Sequence, residues 1–184
     1  MTTEYFTAVS LDGYVADPDG GMDWLSGFPP TAAKRDRFER FFAGVGAMAM
    51  GATTYRWVLA HEKPEAWRRH YGDTPCWVFT HHDLPVPPGA DVRFVSGDVA
   101  AAHDAMRAVT TPSAPTVWLV GGGVLAARFA AAGRLDRVHL GVAPVVLGGG
   151  APVLPVRTGP LRLARVDQDG AFVFLTYEVP DRLG

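Results

Sequence analysis

Two glycine runs have the spacing of a phosphate cradle: Gly44-Val45-Gly46-Ala47-Met48-Ala49 and Gly121-Gly122-Gly123-Val124-Leu125-Ala126 both fit Gly-x-Gly-x-x-Ala. Glycine lets a phosphate approach the backbone without meeting a Cβ, and a helix N-terminus adds unpaired N–H groups and the positive end of a dipole. Only the second run has the order that this chemistry needs, because it leaves the apolar Thr116-Val117-Trp118-Leu119-Val120 and opens a helix. The first leaves a helix and enters a strand, so its glycines read as a helix C-cap and a turn. A dinucleotide-binding Rossmann domain would also end its next strand on an acid that holds the ribose. Here that strand ends near Gly141 and Val142, so the glycine run needs another fold around it.

Other chemistries lack their residues. There is no Gly-x-Ser-x-Gly elbow, and neither Lys34 nor Lys63 follows a glycine as a phosphate-loop lysine does. Cys76 and His82 would lie about 20 Å apart along a strand, with His81 on the opposite face, so no metal site is expected. His61, His70, His103 and His139 are scattered and are assigned no role.

The elements around the glycine run follow from apolar patterning. Residues 5–9 form a short apolar strand that delivers a loop through Ser10-Leu11-Asp12-Gly13 and Asp17-Pro18-Asp19-Gly20-Gly21. Thr31 is expected to cap a helix running to about Gly44, with Phe38, Phe41 and Phe42 on its inner face. Next come strand 47–50, a helix over 53–59, strand 76–80, residues 91–95, and a helix over 98–109 capped by Ser96 or Asp98. Thr116 to Val120 is apolar throughout, as in a strand covered on both faces, and the helix 124–132 stops at Gly133. Strands 137–146, 162–167 and 171–179 then follow without helices, the last two joined by Gln168-Asp169-Gly170, a hairpin signal. The expected fold is α/β: one domain over residues 1–184, with a mostly parallel twisted sheet, flanking helices and an antiparallel C-terminal edge.

Bulk properties limit the partners. A chain of 184 residues buries roughly 70% of its unfolded surface, enough for a core. Seventeen basic against nineteen acidic residues, without a basic run, give no footprint for nucleic acid or an anionic membrane. The sequence shows no signal peptide and no apolar stretch of membrane-spanning length, and its one cysteine excludes an internal disulfide, so a cytoplasmic protein with a small-molecule ligand is expected.

Four stretches together resemble the dihydrofolate-reductase-like reductases, especially the reductase domain of the bifunctional riboflavin-biosynthesis deaminase/reductase. They are Val9-Ser10-Leu11-Asp12-Gly13-Tyr14-Val15-Ala16, Met50-Gly51-Ala52-Thr53-Thr54-Tyr55, Val120-Gly121-Gly122-Gly123, and Val142-Ala143-Pro144-Val145-Val146-Leu147-Gly148-Gly149-Gly150. The resemblance implies an NADPH-dependent reductase, NADH being the other cofactor open to it, that acts on a C=N or C=O of a pyrimidine-like or pterin-like heterocycle. It implies that Ala8 and Val9 lie against the nicotinamide, that Gly51, Ala52, Thr53 and Thr54 face the pyrophosphate, and that Val120, Gly121, Gly122, Gly123 and Val124 support it from the other side. Thr80 and His81 fall near the adenosine ribose, and Met22 and Trp24 ride on a loop that closes over the site. The resemblance also puts a proton-donating acid on the helix after that loop, where Asp36 is the first choice and Glu39 the second, placed at the substrate. The alternative is that both acids are no more than solvated partners of Arg35 and Arg40. Such reductases often form homodimers through their sheet edges, which the apolar C-terminal strands allow.

One departure is Ala52, where relatives commonly carry a basic residue. It leaves open a nucleotide-binding module without turnover. A structural or interaction protein whose glycines only shape turns is open as well.

Overall fold

The computed structural model describes residues 1–63 and 65–180. Its organising element is β1 (Thr2–Val9), which alternates its side chains between two apolar layers. Tyr5 enters one core cluster, while Phe6 packs against the other. Beside β1 runs β6 (Thr116–Val120), then β3 (Val45–Gly51), β4 (Cys76–Phe79) and β5 (Val92–Val95); β7 (Arg137–Val142) lies on the other side of β1. All these neighbours pair in parallel. Buried on both faces, β4 and most of β3 and β6 are apolar runs rather than alternating ones.

The antiparallel edge is the hairpin of β9 (Arg162–Asp169) and β10 (Phe172–Glu178), with β10 paired to β7. Its turn is Gly170-Ala171, one residue later than the Asp-Gly pair suggests, because Asp169 still pairs with Phe172 and the positive φ of 60° falls on Gly170.

One face of the sheet carries α4 (Val99–Val109) and α5 (Gly123–Ala131), through Val99, Ala102, Met106, Leu125, Ala126, Phe129 and Ala130. The other carries α1 (Ala32–Phe42), α2 (Ala52–His61) and α3 (Ala66–Tyr71). Thr31 caps α1 by accepting from Lys34 N at 3.1 Å, and Asp98 caps α4 by accepting from Ala100 N at 3.1 Å, both as expected. Phe38, Phe41 and Phe42 of α1 gather on Trp118, with ring centres 5.5, 5.7 and 6.0 Å away.

Four local features differ from expectation. The strand expected over 137–146 stops at Val142, because the backbone beyond it turns to the β1 loop: Ala143 N donates to Val9 O and Leu11 N to Val145 O. Asp12 fixes this crossing by accepting from Leu147 N at 3.1 Å and Gly148 N at 2.7 Å. The crossing then forms an unforeseen pairing of β2 (Tyr14–Ala16) with β8 (Ala151–Pro152). α3, also unforeseen, is a six-residue helix anchored by buried Trp67 and Tyr71 at i, i+4. Gly46 is no turn: it lies within β3, where a Cβ would meet Ala114 O at 2.3 Å.

A buried histidine makes this scaffold sensitive to acid. His103 on α4 is 4% exposed, with Nε2 2.7 Å from Thr3 Oγ1. Burial, then the Arg134 and Arg107 guanidinium groups, hold its pKa below the ordinary 6.5 against the weaker upward pull of Asp104 and Asp136. The unfolded chain therefore takes up this proton more readily than the folded one, so the contribution is complete above pH 6.5 and is lost as pH falls below it. Melting curves across that range should show wild type losing stability on acidification more steeply than His103→Gln; parallel slopes would contradict the assignment.

Candidate functional site

The C-terminal ends of β3 and β6 each pass directly into a helix that starts at a glycine. Gly51 is the N-cap of α2 and Gly122 that of α5, and neither helix has a side-chain cap, unlike α1 and α4. Two helix N-termini thus converge without a capping side chain of their own, each carrying the equivalent of about half a positive charge. Between them opens a cavity of ≈ 580 Å³.

The three central glycines are glycine for different reasons. Gly121 turns at φ 86°, and a Cβ there would meet Thr54 Oγ1 at 2.3 Å. A Cβ on Gly123 would lie 2.2 Å from Val153 O and 2.3 Å from Pro152 O, the backbone at the end of β8. Gly122 has ordinary backbone angles (φ −66°, ψ 141°), and the nearest atom to its Cβ position is Thr54 Oγ1 at 3.9 Å. Gly51 likewise has nothing within 4 Å. Packing therefore requires glycine at Gly121 and Gly123, whereas a Cβ at Gly51 or Gly122 would be accommodated. Gly123→Ala should cost about 1–3 kcal/mol, several degrees in a melting curve, because two rigid carbonyls must move; an unchanged midpoint would show that β8 can shift freely.

Of the residues singled out in the sequence, Met22, Gly51, Thr53, Thr54, Val120, Gly121, Gly122, Gly123 and Val124 line this cavity. Thr54 also holds the two walls together, its Oγ1 accepting from Gly122 N at 3.2 Å. Ala8 and Val9 are not in the lining; Phe6 and Thr7 of the same strand are. Ala52 begins α2 outside the lining, and Thr80 and His81 follow Phe79, a lining residue, just past the end of β4. Trp24 sits in a short 3₁₀ turn (Asp23–Leu25), half-buried, its indole N–H without a partner among the described residues, and does not reach the cavity. Asp36 is exposed on α1, away from the lining. Glu39, also exposed, borders an adjoining open cleft of ≈ 630 Å³ that shares Trp118 and Tyr71 with the main cavity.

The sequence reading missed Thr7, Trp57, Tyr71, Trp118 and Arg128 as wall residues. Helical spacing held the signal for two of them: Trp57 lies four residues after Thr53, and Arg128 four after Val124. No carboxylate lines the cavity among the described residues, and burial, with Glu62 nearby, holds the Tyr71 phenol protonated far above its ordinary range. Chemically, the walls offer aromatic and aliphatic faces, hydroxyls, and two helix N-termini suited to an anion. Among the described residues no cluster of three or more His, Cys, Asp and Glu could hold a metal ion, and no helix is long and apolar enough to cross a membrane.

A mostly parallel sheet with an antiparallel edge, and a cleft where two glycine-capped helices meet, define a dihydrofolate-reductase-like domain. The sequence profile of the RibD C-terminal domain matches residues 3–174, and the chain belongs to that family. Across 181 residues it is 30% identical to the uncharacterized protein YwjB of Bacillus subtilis strain 168, covering 95% of this chain and 96% of that one. A protein named for riboflavin biosynthesis from Shewanella sp. PV-4 superposes with a TM-score of 0.81 at 24% identity, over 98% of this chain and 99% of that one. The Thermotoga maritima diaminohydroxyphosphoribosylaminopyrimidine deaminase/5-amino-6-(5-phosphoribosylamino)uracil reductase gives a TM-score of 0.66 at 17% identity, over 97% of this chain and 56% of that one. At these identities the two structures speak for the fold.

Proposed function

We propose that this protein is an NADPH-dependent reductase of a small heterocycle of the pyrimidine or pterin kind. The observation that carries this reading is the pair of helix N-termini, at Gly51 and Gly122, that meet without side-chain caps at one cavity. Gly51, Thr53 and Thr54 on one side and Gly121, Gly122, Gly123 and Val124 on the other hold the diphosphate, an anion for which backbone N–H groups are the natural donors. Thr7, with Ala8 and Val9 behind it at the end of β1, meets the nicotinamide, and Thr80 and His81 fall on the ribose side of Phe79. When bound, the dinucleotide supplies hydride to the substrate.

The rest of the chemistry is positioning. Phe6, Trp57, Trp118 and Val120 give a flat ring apolar faces to pack on, and Met22 with Gly20 covers it from the loop. Asp36 and Glu39 stand outside the cavity, so the proton reaches the substrate from water rather than by direct contact with either acid. The uracil named in the Thermotoga protein's description supports a uracil-like substrate here.

Titration of intrinsic tryptophan fluorescence with NADPH tests the cofactor, since Trp57 and Trp118 line the cavity. Loss of NADPH absorbance on adding aminouracils or pterins tests turnover. Saturable binding is expected; no binding of either NADPH or NADH would overturn the reading, and binding without oxidation by any heterocycle would favour a module without turnover.

The reading includes a homodimer. Leu163, Val166 and Val173 are 49%, 53% and 38% exposed on the β9–β10 hairpin. β9 also carries Arg162 and Arg165 in one half and Asp167 and Asp169 in the other, a charge order that antiparallel pairing of two copies about a two-fold axis makes complementary. Light scattering should give twice the chain mass; a monomer would refute it.

A further inference from the structure

Among the described residues that line the cavity, Arg128 alone carries a formal charge. It is exposed on α5, one turn beyond the glycines. Its guanidinium carbon lies 5.6 Å from the centre of the Phe79 ring, and Nη2 donates to Gly97 O in the turn between β5 and α4. Arg128 thus stands at the β4–β5 end of the cavity, whereas Thr7 stands at the β1 end. In the strand order β1, β6, β3, β4, three inter-strand steps separate those ends, about 14 Å at ~4.8 Å each. The two helix N-termini lie midway, at the ends of β6 and β3.

An elongated anion anchored midway, with its ring at Thr7, therefore carries its other end over Phe79 and under Arg128. We propose that Arg128 is the cofactor-selecting residue: its guanidinium takes the ribose 2′-phosphate that distinguishes NADPH from NADH. The inference rests on the dinucleotide reading above and adds the residue that makes the choice.

Three features support it. Arg128 is the one cation in the lining among the described residues, so a phosphate that needs a charged partner finds it there and not at Ala52, which begins α2. The guanidinium is steadied by the Gly97 carbonyl and the Phe79 face, leaving N–H groups of its planar fork for the two-pronged contact that phosphate favours. The neighbouring acid, Asp98, has its carboxylate engaged on Ala100 N as the cap of α4. His81 and His82, exposed just past β4, could add donors at this end.

The test is a set of fluorescence titrations with NADPH, NADH, 2′,5′-ADP and 5′-AMP on wild type, Arg128→Gln and Arg128→Lys, with melting curves as a folding control. Wild type should prefer NADPH to NADH and 2′,5′-ADP to 5′-AMP. Arg128→Gln should lose roughly 10- to 100-fold in affinity for the two 2′-phosphates and keep its NADH and 5′-AMP affinities within about 2-fold, with Arg128→Lys between. Equal losses for all four ligands, or none, would overturn the inference while leaving the dinucleotide reading standing. A wild type that binds neither NADPH nor NADH would overturn both.

Discussion

Gly122→Asp should abolish dinucleotide binding while leaving the fold intact or slightly stabilised. Gly122 has backbone angles that any residue adopts, and only Thr54 Oγ1, 3.9 Å away, approaches its Cβ position. It is the N-cap of α5, where aspartate is among the best residues: its carboxylate accepts from the first-turn N–H groups and faces the positive end of the dipole. The same carboxylate occupies the place proposed for the diphosphate. Two unit charges about 5 Å apart at an effective dielectric constant near 20 repel by about 3 kcal/mol, more than 100-fold in affinity, and the blocked N–H groups add to this. Gly122→Ala, which brings bulk without charge, should weaken NADPH by less than about 10-fold. Fluorescence titration and calorimetry on both variants decide the matter. An Asp variant that melts normally and binds NADPH as wild type does would mean that the run shapes a turn and nothing more.

The identity of these glycines was plain in the sequence, but the reason for each was not. That Gly123 is forced by the Pro152 and Val153 carbonyls is a long-range fact: β8 is two residues long, contains a proline, and has no periodicity to announce it. Where the pattern is local, it was readable. The apolar runs of β3, β4 and β6, the caps Thr31 and Asp98, and the stop at Gly133 (φ 63°) all follow from neighbours in the chain. Asp36 illustrates a signal present but unused. At 100° per residue it lies 160°, 140° and 120° around α1 from Phe38, Phe41 and Phe42, so a helix that turns its aromatic stripe inward turns Asp36 to solvent. Glu39 lies only 60° from Phe42, and it borders the adjoining cleft. The lining falls on Phe6 and Thr7 rather than on Ala8 and Val9, a shift of two residues along β1 that no local pattern announces.

Trp118→Ala should do the reverse of Gly122→Asp, removing stability while largely sparing the anion cradle. Trp118 is 5% exposed, and three phenylalanines of α1 converge on it; no residue of that helix is itself fully buried. Its ring also forms part of the wall of both the main cavity and the adjoining cleft. Truncating a buried tryptophan costs about 3–5 kcal/mol, which for a chain of this size lowers the melting midpoint by about 10 °C. With the ring gone, the barrier it forms between the two spaces opens and α1 loses its seat. Selectivity for flat substrates should therefore fall, even though Gly51, Thr54 and Gly122 are untouched. NADPH affinity should drop by less than about 10-fold, because those groups and not Trp118 carry the diphosphate. Trp118→Phe, which keeps an aromatic face, should recover most of the stability. Calorimetry and NADPH titration on the two variants together separate the scaffold from the site: a Trp118→Ala protein that loses NADPH as completely as Gly122→Asp would mean that the cradle is assembled by α1 packing rather than by the strand-to-helix turns.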